Sequence, residues 1–313
     1  MILKMLKGGG MDYIFSLLTS NQWYLLYLSG IMITAGYAKD QRWFAPAYIW
    51  IVNNTKSKRA VVALISGITG VLPITGRVAV SAGFLDTIAP KDKEKRKVYG
   101  VIDYLSTHHY YLWSPIEKSV IIPMAALGIS YWTFLGYMLP LLVVMFGVIG
   151  YYIFSVLKED DVEINVDGFN VGEKYLEKNP LKYINLNTIV LLAGIIILGN
   201  ITKEYTNEIQ MFIENNTASL IHVSLISFLG SLFLGSSSRF AAITAIAVTI
   251  YGVEYLPWFF AIDYAGYMLS PTHKCLSIGK MYFGTSLKEY YKSIIILCSS
   301  IIAMAAVITF VPI

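Results

Sequence analysis

Residues 131 to 157 read YWTFLGYMLPLLVVMFGVIGYYIFSVL, without one charged side chain. As a helix this run is about 40 Å long at 1.5 Å per residue. That exceeds the roughly 30 Å hydrocarbon core of a bilayer. Lipid offers no water to an open backbone, so such a run is required to be helical. Further apolar runs lie at 23–37 (extendable at both ends), 183–201, 218–234 and 288–311, the last opening with Lys288, Glu289 and Lys292. Composition agrees with this reading. Hydrophobic residues make up 56% and charged residues 14% of the 313, with a mean hydropathy of +0.59, whereas soluble domains carry about 25% charge. The expected class is an all-α polytopic membrane protein of the plasma membrane, in contact with membrane lipid. The net charge of +4 comes from scattered basic residues, which excludes a nucleic-acid surface. Two cysteines, Cys275 and Cys298, are too few for a disulfide framework.

Other apolar stretches are interrupted. Gly67, Gly70, Pro73, Gly76 and Arg77 puncture residues 60–88. His108, His109, Ser114, Pro115, Glu117 and Lys118 break residues 98–127. Glu254, Pro257, Asp263, Ser270, Pro271 and Lys274 break residues 240–282. The N-terminus places Lys4 and Lys7 ahead of an apolar run with no small-residue cleavage site, and reads as an interfacial lead-in. The longest polar stretch, 158–182, divides the chain into a first transmembrane repeat at 1–157 and a second at 183–313. Its acidic start reads as a solvated extramembrane linker.

The two halves share an ordered set of parts. YLWSPIEKSV at 111–120 matches YMLSPTHKCL at 267–276 as Tyr-x-x-Ser-Pro-x-x-Lys. Asp103-Tyr104 and Asp263-Tyr264 precede these motifs, and further upstream lie GVLPITGRVAVSAGF with Arg77 and FLGSSSRFAAITAIA with Arg239. Proline removes an amide donor and clashes with the preceding turn. At membrane depth, open backbone is tolerated only where it lines a cavity or is buried in protein. Matched breaks in two halves point to a transporter binding site, with half-helix N-termini favouring anions. The expected architecture is two inverted-topology repeats with re-entrant hairpins and broken helices. The alternative is two unrelated proline kinks.

LPITGRVAVSAGFLD, the segment ending YLWSP, and GYMLSPTHKCLSIGKMYFG together resemble the integral-membrane family called domain of unknown function 401. Leu72, Pro73, Gly76, Ser81 and Ala82 match its first motif, and Ser270, Pro271, His273, Cys275 and Leu276 match its second. Arg77 departs from the pattern, standing where that family carries a second glycine, and the chain is short for the group. The resemblance implies kinship with gluconate, citrate and dicarboxylate carriers, the inverted-repeat fold, and a homodimer.

The expected function is secondary active transport of a small anion, such as an organic carboxylate, coupled to H+ or Na+. An intramembrane charge marks a site by default. Arg77 and Arg239 are the expected anion ligands, with Gly76, Ser114, Ser236, Ser237, Ser238 and Ser270 at the breaks. Each arginine has two alternatives, pairing with Asp103, Glu254 or Asp263, or snorkelling to the interface. Asp103, Glu117, Asp263 and His273 are the candidate ion-coupling groups. Lys118 and Lys274 read as caps of the broken helices. His108-His109 and His273-x-Cys275 invite a metal, but adjacent histidines rarely chelate together and zinc wants three or four ligands. No metal and no cofactor other than a coupling Na+ is therefore expected. No hydrolase, nucleotide-binding or zincin motif is present in the sequence, which argues against an enzyme. An uncoupled channel or binding protein on the same scaffold is the alternative, followed by an intramembrane enzyme using His108, His109 or His273.

Overall fold

The computed structural model describes residues 45–71, 77–163, 179–184, 219–234 and 237–311, with scattered helical positions between 12 and 33 and between 186 and 211. The N-terminal lead-in, residues 164–178 of the linker, most of the expected span 183–201, and Gly76 and Ser236 lie outside the described residues. The side chains of Ser237, Ser238, Arg239 and Lys274 lie outside them as well. Among the described residues there is no strand. The helices are α1 (Ala45–Asn54), α2 (Lys58–Val71), α3 (Arg77–Ile88), α4 (Lys93–Ser106), α5 (Lys118–Leu127) and α6 (Tyr131–Tyr151), then α7 (Leu220–Leu234), α8 (Ser237–Tyr251), α9 (Leu256–Leu269), α10 (Lys274–Phe283) and α11 (Leu287–Phe310).

Among the described residues two helices are long and apolar enough to cross a bilayer: α6 with its π-helical continuation, Tyr131–Val156, and α11, Leu287–Phe310. At 26 and 24 residues they are about 39 and 36 Å long. Their outer faces carry exposed Trp132, Leu139, Val143, Phe146, Ile295 and Val307. Apolar surface of this extent calls for a covering phase. The expected span 218–234 is observed as α7, which has 15 residues, about 22 Å, and is too short to cross alone. It starts late because Ser219 caps it, its amide and hydroxyl meeting His222 Nδ1 at 3.2 and 2.9 Å.

Both interrupted stretches are broken helices built to the same lengths. Helix α4 has 14 residues and α5 has 10, and α9 has 14 and α10 has 10. Each second piece begins at the matched lysine and ends on a left-handed glycine, Gly128 (φ 66°) or Gly284 (φ 68°), a conformation that L side chains resist. Two residues later Ser130 or Ser286 accepts a backbone amide and starts the long helix. Glu289 adds the reciprocal bond at Ser286. Tyr111 and Tyr267 stand 156 residues apart, and the same spacing relates Ser114 to Ser270, Lys118 to Lys274, Gly128 to Gly284 and Ser130 to Ser286.

The halves interlock. Helix α5 packs on α8 of the other half, α10 packs on α3 and α4, and the long helices α6 and α11 pack on each other. Close approach is built in with glycine. A Cβ on Gly100 of α4 would strike Thr285 and the Tyr290 hydroxyl, and one on Gly266 of α9 would strike the Phe228 carbonyl of α7.

The acidic start of the linker, expected as a solvated extramembrane piece, is described as far as residue 163. Residues 157–163 dock on the first half, with Leu157 and Val162 buried. Glu159 pairs with Arg59, Asp161 with Lys95, and the Glu163 amide donates to Ile88 O at 2.9 Å. Its charges have partners on α2 and α4, so it folds back instead of extending into water.

Candidate functional site

Each Ser-Pro step strands carbonyls that an unbroken helix would satisfy. Tyr111 and Tyr267 sit four residues before Pro115 and Pro271, so their carbonyls lose the i+4 amide. In the first break the Tyr111 carbonyl accepts from Ser119 Oγ at 2.7 Å. In the second the Tyr267 carbonyl accepts from the Ser270 amide at 3.2 Å and also faces His273 Nδ1 at 3.2 Å, and Met268 O accepts from the Tyr104 hydroxyl at 2.8 Å. Ser270 Oγ contacts Thr272 Oγ1 at 2.9 Å. Ser114 and Ser270 are both buried. The breaks are thus completed by side chains, as buried polar backbone requires.

The two breaks meet. The hydroxyls of Tyr111 and Tyr267, equivalent in the two motifs, are 3.0 Å apart, with ring centroids at 5.4 Å in an edge-on arrangement. Tyr264 and Phe240 close the aromatic group around them.

Arg77, at the first turn of α3, is buried against the first break. Its Nε donates to Thr107 O at 2.9 Å and its Nη1 to the Tyr110 hydroxyl. Its guanidinium carbon lies 3.5 Å from the Tyr110 ring centroid and 4.9 Å from that of Tyr111. Tyr110 in turn donates to Glu117 Oε2. A buried guanidinium needs a counter-charge, and Glu117 supplies it through Tyr110. Neither Asp103, Glu254 nor Asp263 is bonded to Arg77 among the described residues. Glu117, expected as an ion-coupling group, is therefore held in the Arg77 network.

Asp103 and Asp263 are both fully buried but differ in their surroundings. Asp263 accepts from Thr244 Oγ1 at 2.7 Å and Ser231 Oγ at 3.2 Å. Neither carboxyl oxygen of Asp103 completes a hydrogen bond, nor does the hydroxyl of buried Ser81.

His273 is buried at the head of α10 and meets His108, with their Nε2 atoms 3.1 Å apart. Cys275 Sγ joins the two rings, the sulfur and one ring nitrogen of each histidine lying within 4.8 Å of one another. His109 turns away, bonding Gly67 O at 3.3 Å and accepting from Trp113 Nε1 at 3.0 Å. The sequence reading missed the pairing of His108 with His273. A signal existed, because Asp103 precedes Pro115 by 12 residues where Asp263 precedes Pro271 by 8. The first break carries an extra turn, and His108 lies in it.

No family model, curated protein or solved structure matches the chain.

Proposed function

We propose that the chain is an integral protein of the plasma membrane and a secondary active transporter of a small anion, such as an organic carboxylate. Its two halves are read as inverted-topology repeats that move against each other about the paired breaks. The observation that carries the reading is the meeting of Tyr111 with Tyr267 at two proline breaks of equal design, beside the buried Arg77. Broken helices at corresponding positions of two halves mark transporter binding sites. The motif resemblance to the domain of unknown function 401 family points the same way and implies a homodimer.

Arg77 anchors the anion, with the Tyr110, Tyr111 and Tyr267 hydroxyls as further donors. In the state described, Glu117 neutralises Arg77 through Tyr110. Substrate then competes with Glu117 for the guanidinium, which keeps an empty site from holding a bare buried charge. Asp103 is the favoured proton carrier. Its carboxyl is buried with the Ser81 hydroxyl beside it, a place where a carried proton spares the interior a bare charge. Sodium is the other candidate coupling ion.

The test is thermal unfolding of the detergent-solubilised protein with acetate, succinate, citrate, gluconate or phosphate, each with and without Na+ and at two pH values. A ligand at 100 times its Kd adds about 2.7 kcal/mol to the native state. One anion class is expected to raise Tm in the native chain and not in Arg77→Gln. If no anion shifts the native chain, the reading fails.

A further inference from the structure

Hydrogen bonds at the crossing fix the protons on both buried imidazoles. His108 Nδ1 lies 2.5 Å from Tyr104 O, and a carbonyl only accepts, so Nδ1 carries the hydrogen. His273 Nδ1 faces Tyr267 O at 3.2 Å and the Tyr104 hydroxyl at 3.0 Å. That hydroxyl spends its one hydrogen on Met268 O, so it too accepts from His273. Both Nδ1 atoms are donors, and both Nε2 atoms of the neutral rings present lone pairs to each other at 3.1 Å. Two lone pairs at that distance repel unless a cation lies between them. Backbone carbonyls on Nδ1 are the partners that orient metal-ligating histidines.

Cys275 supplies a third donor. Its counterpart Ser119 in the first half satisfies the stranded Tyr111 carbonyl. In the second half His273 faces the equivalent carbonyl, which releases the Cys275 sulfur from that task.

We infer that His108 Nε2, His273 Nε2 and Cys275 Sγ bind one borderline-to-soft metal ion, Zn2+ or Cu+. Tetrahedral ligands at Zn–N near 2.0–2.1 Å and Zn–S near 2.3 Å stand about 3.3 to 3.6 Å apart. The imidazole nitrogens are already near that separation. A ring nitrogen of each histidine lies within 4.8 Å of the sulfur, so side-chain movement on the order of 1 Å brings the three donors to one ion. Binding deprotonates the Cys275 thiol, whose proton passes to solvent as the sulfur–metal bond forms. Three protein ligands leave a fourth position open, as in sites that take a water or a substrate atom. His273 then serves the metal, and the coupling proton falls to the carboxyls.

The experiment uses the full chain in detergent, stripped with a chelator and titrated with Co2+ as a spectroscopic probe and Zn2+ for stoichiometry. One metal per chain is expected, with a thiolate-to-cobalt charge-transfer band and the strong visible bands of a tetrahedral ion. Both features vanish in Cys275→Ser and His108→Gln and persist in Cys298→Ser. The chain has only two cysteines, so persistence in Cys298→Ser assigns the sulfur even if Cys275→Ser fails to fold. No bound metal, which is the result if the imidazoles merely share a proton, overturns the inference. Cobalt bound without a charge-transfer band overturns it equally. Both readouts are independent of the anion, so this site and the transport reading fail separately.

Discussion

Removing Glu117 and Arg77 together should harm the protein less than the sum of the two single losses. Both are buried and joined only through the Tyr110 hydroxyl among the described residues. Two hydrogen bonds in series put the charges on the order of 5 Å apart. At an effective dielectric near 20 their attraction is about 3 kcal/mol. Glu117→Gln leaves a guanidinium, which does not lose its proton, buried without a counter-charge, at a loss of about 3–5 kcal/mol. At roughly 2 °C per kcal/mol for a chain of this size, Tm falls by about 6–10 °C. The double variant Arg77→Met/Glu117→Gln removes both charges and should recover about 3 kcal/mol relative to the sum of the single losses. Tyr110→Phe keeps the ring under Arg77 but cuts the bridge, so it should destabilise in the same direction. The assay is thermal unfolding of the four variants and the native chain in one detergent. Additive losses, with a coupling below about 0.5 kcal/mol, would show that Arg77 and Glu117 do not sense each other.

Further outcomes follow from the same structure. Gly266→Ala drives a methyl into the Phe228 carbonyl. Overpacking of about 1–3 kcal/mol outweighs the ~1 kcal/mol gained in helix propensity, so Tm falls, whereas Gly83→Ala, with nothing within 4 Å, is neutral or stabilising. Hydrogen bonding from Arg59 is the main cause holding the Glu159 carboxyl below its usual 4.5. A depressed folded value contributes stability above about pH 4.5 and loses it as pH falls through the folded value. Protection of the Glu163 amide against hydrogen exchange, corrected for intrinsic rate, should therefore drop in acid, and Arg59→Gln should remove that dependence. Tyr111→Phe and Tyr267→Phe each break the shared hydrogen bond at a loss of about 1 kcal/mol. The double variant should lose less than the sum, and additive losses would mean that the two hydroxyls do not pair.

Backbone architecture was largely legible where it depends on local chemistry. Apolar runs pointed to the two described helices long enough to cross a bilayer, and the Ser-Pro steps to both broken helices. The start of α7 was missed by two residues because the Ser219–His222 cap outranks hydropathy there. Folding back of the Glu159–Asp161 turn was missed because its partners, Arg59 and Lys95, lie far upstream. The site was legible as a list and not as pairings. Arg77 was expected at an anion, at Asp103, Glu254 or Asp263, or at the interface, and Glu117 as an ion-coupling group, since nothing in sequence shows that Tyr110 spans them. Matching the halves also hid His108, which lies in the extra turn and has no counterpart. Equivalent positions then carry different chemistry, with Glu117 serving Arg77 and His273 serving His108. Broken helices of matching length thus carry different side chains.

The most direct test of the central claim is proton movement in proteoliposomes carrying a lumenal pH dye. The probe is whichever anion of the panel stabilises the native chain, applied outside without Na+ and then with it. The account predicts lumenal acidification that follows anion entry and is lost in Asp103→Asn, or else an entry that requires Na+. Anion entry at the same rate with neither proton movement nor sodium dependence would contradict coupling and leave an uncoupled pathway. No entry at all would contradict transport.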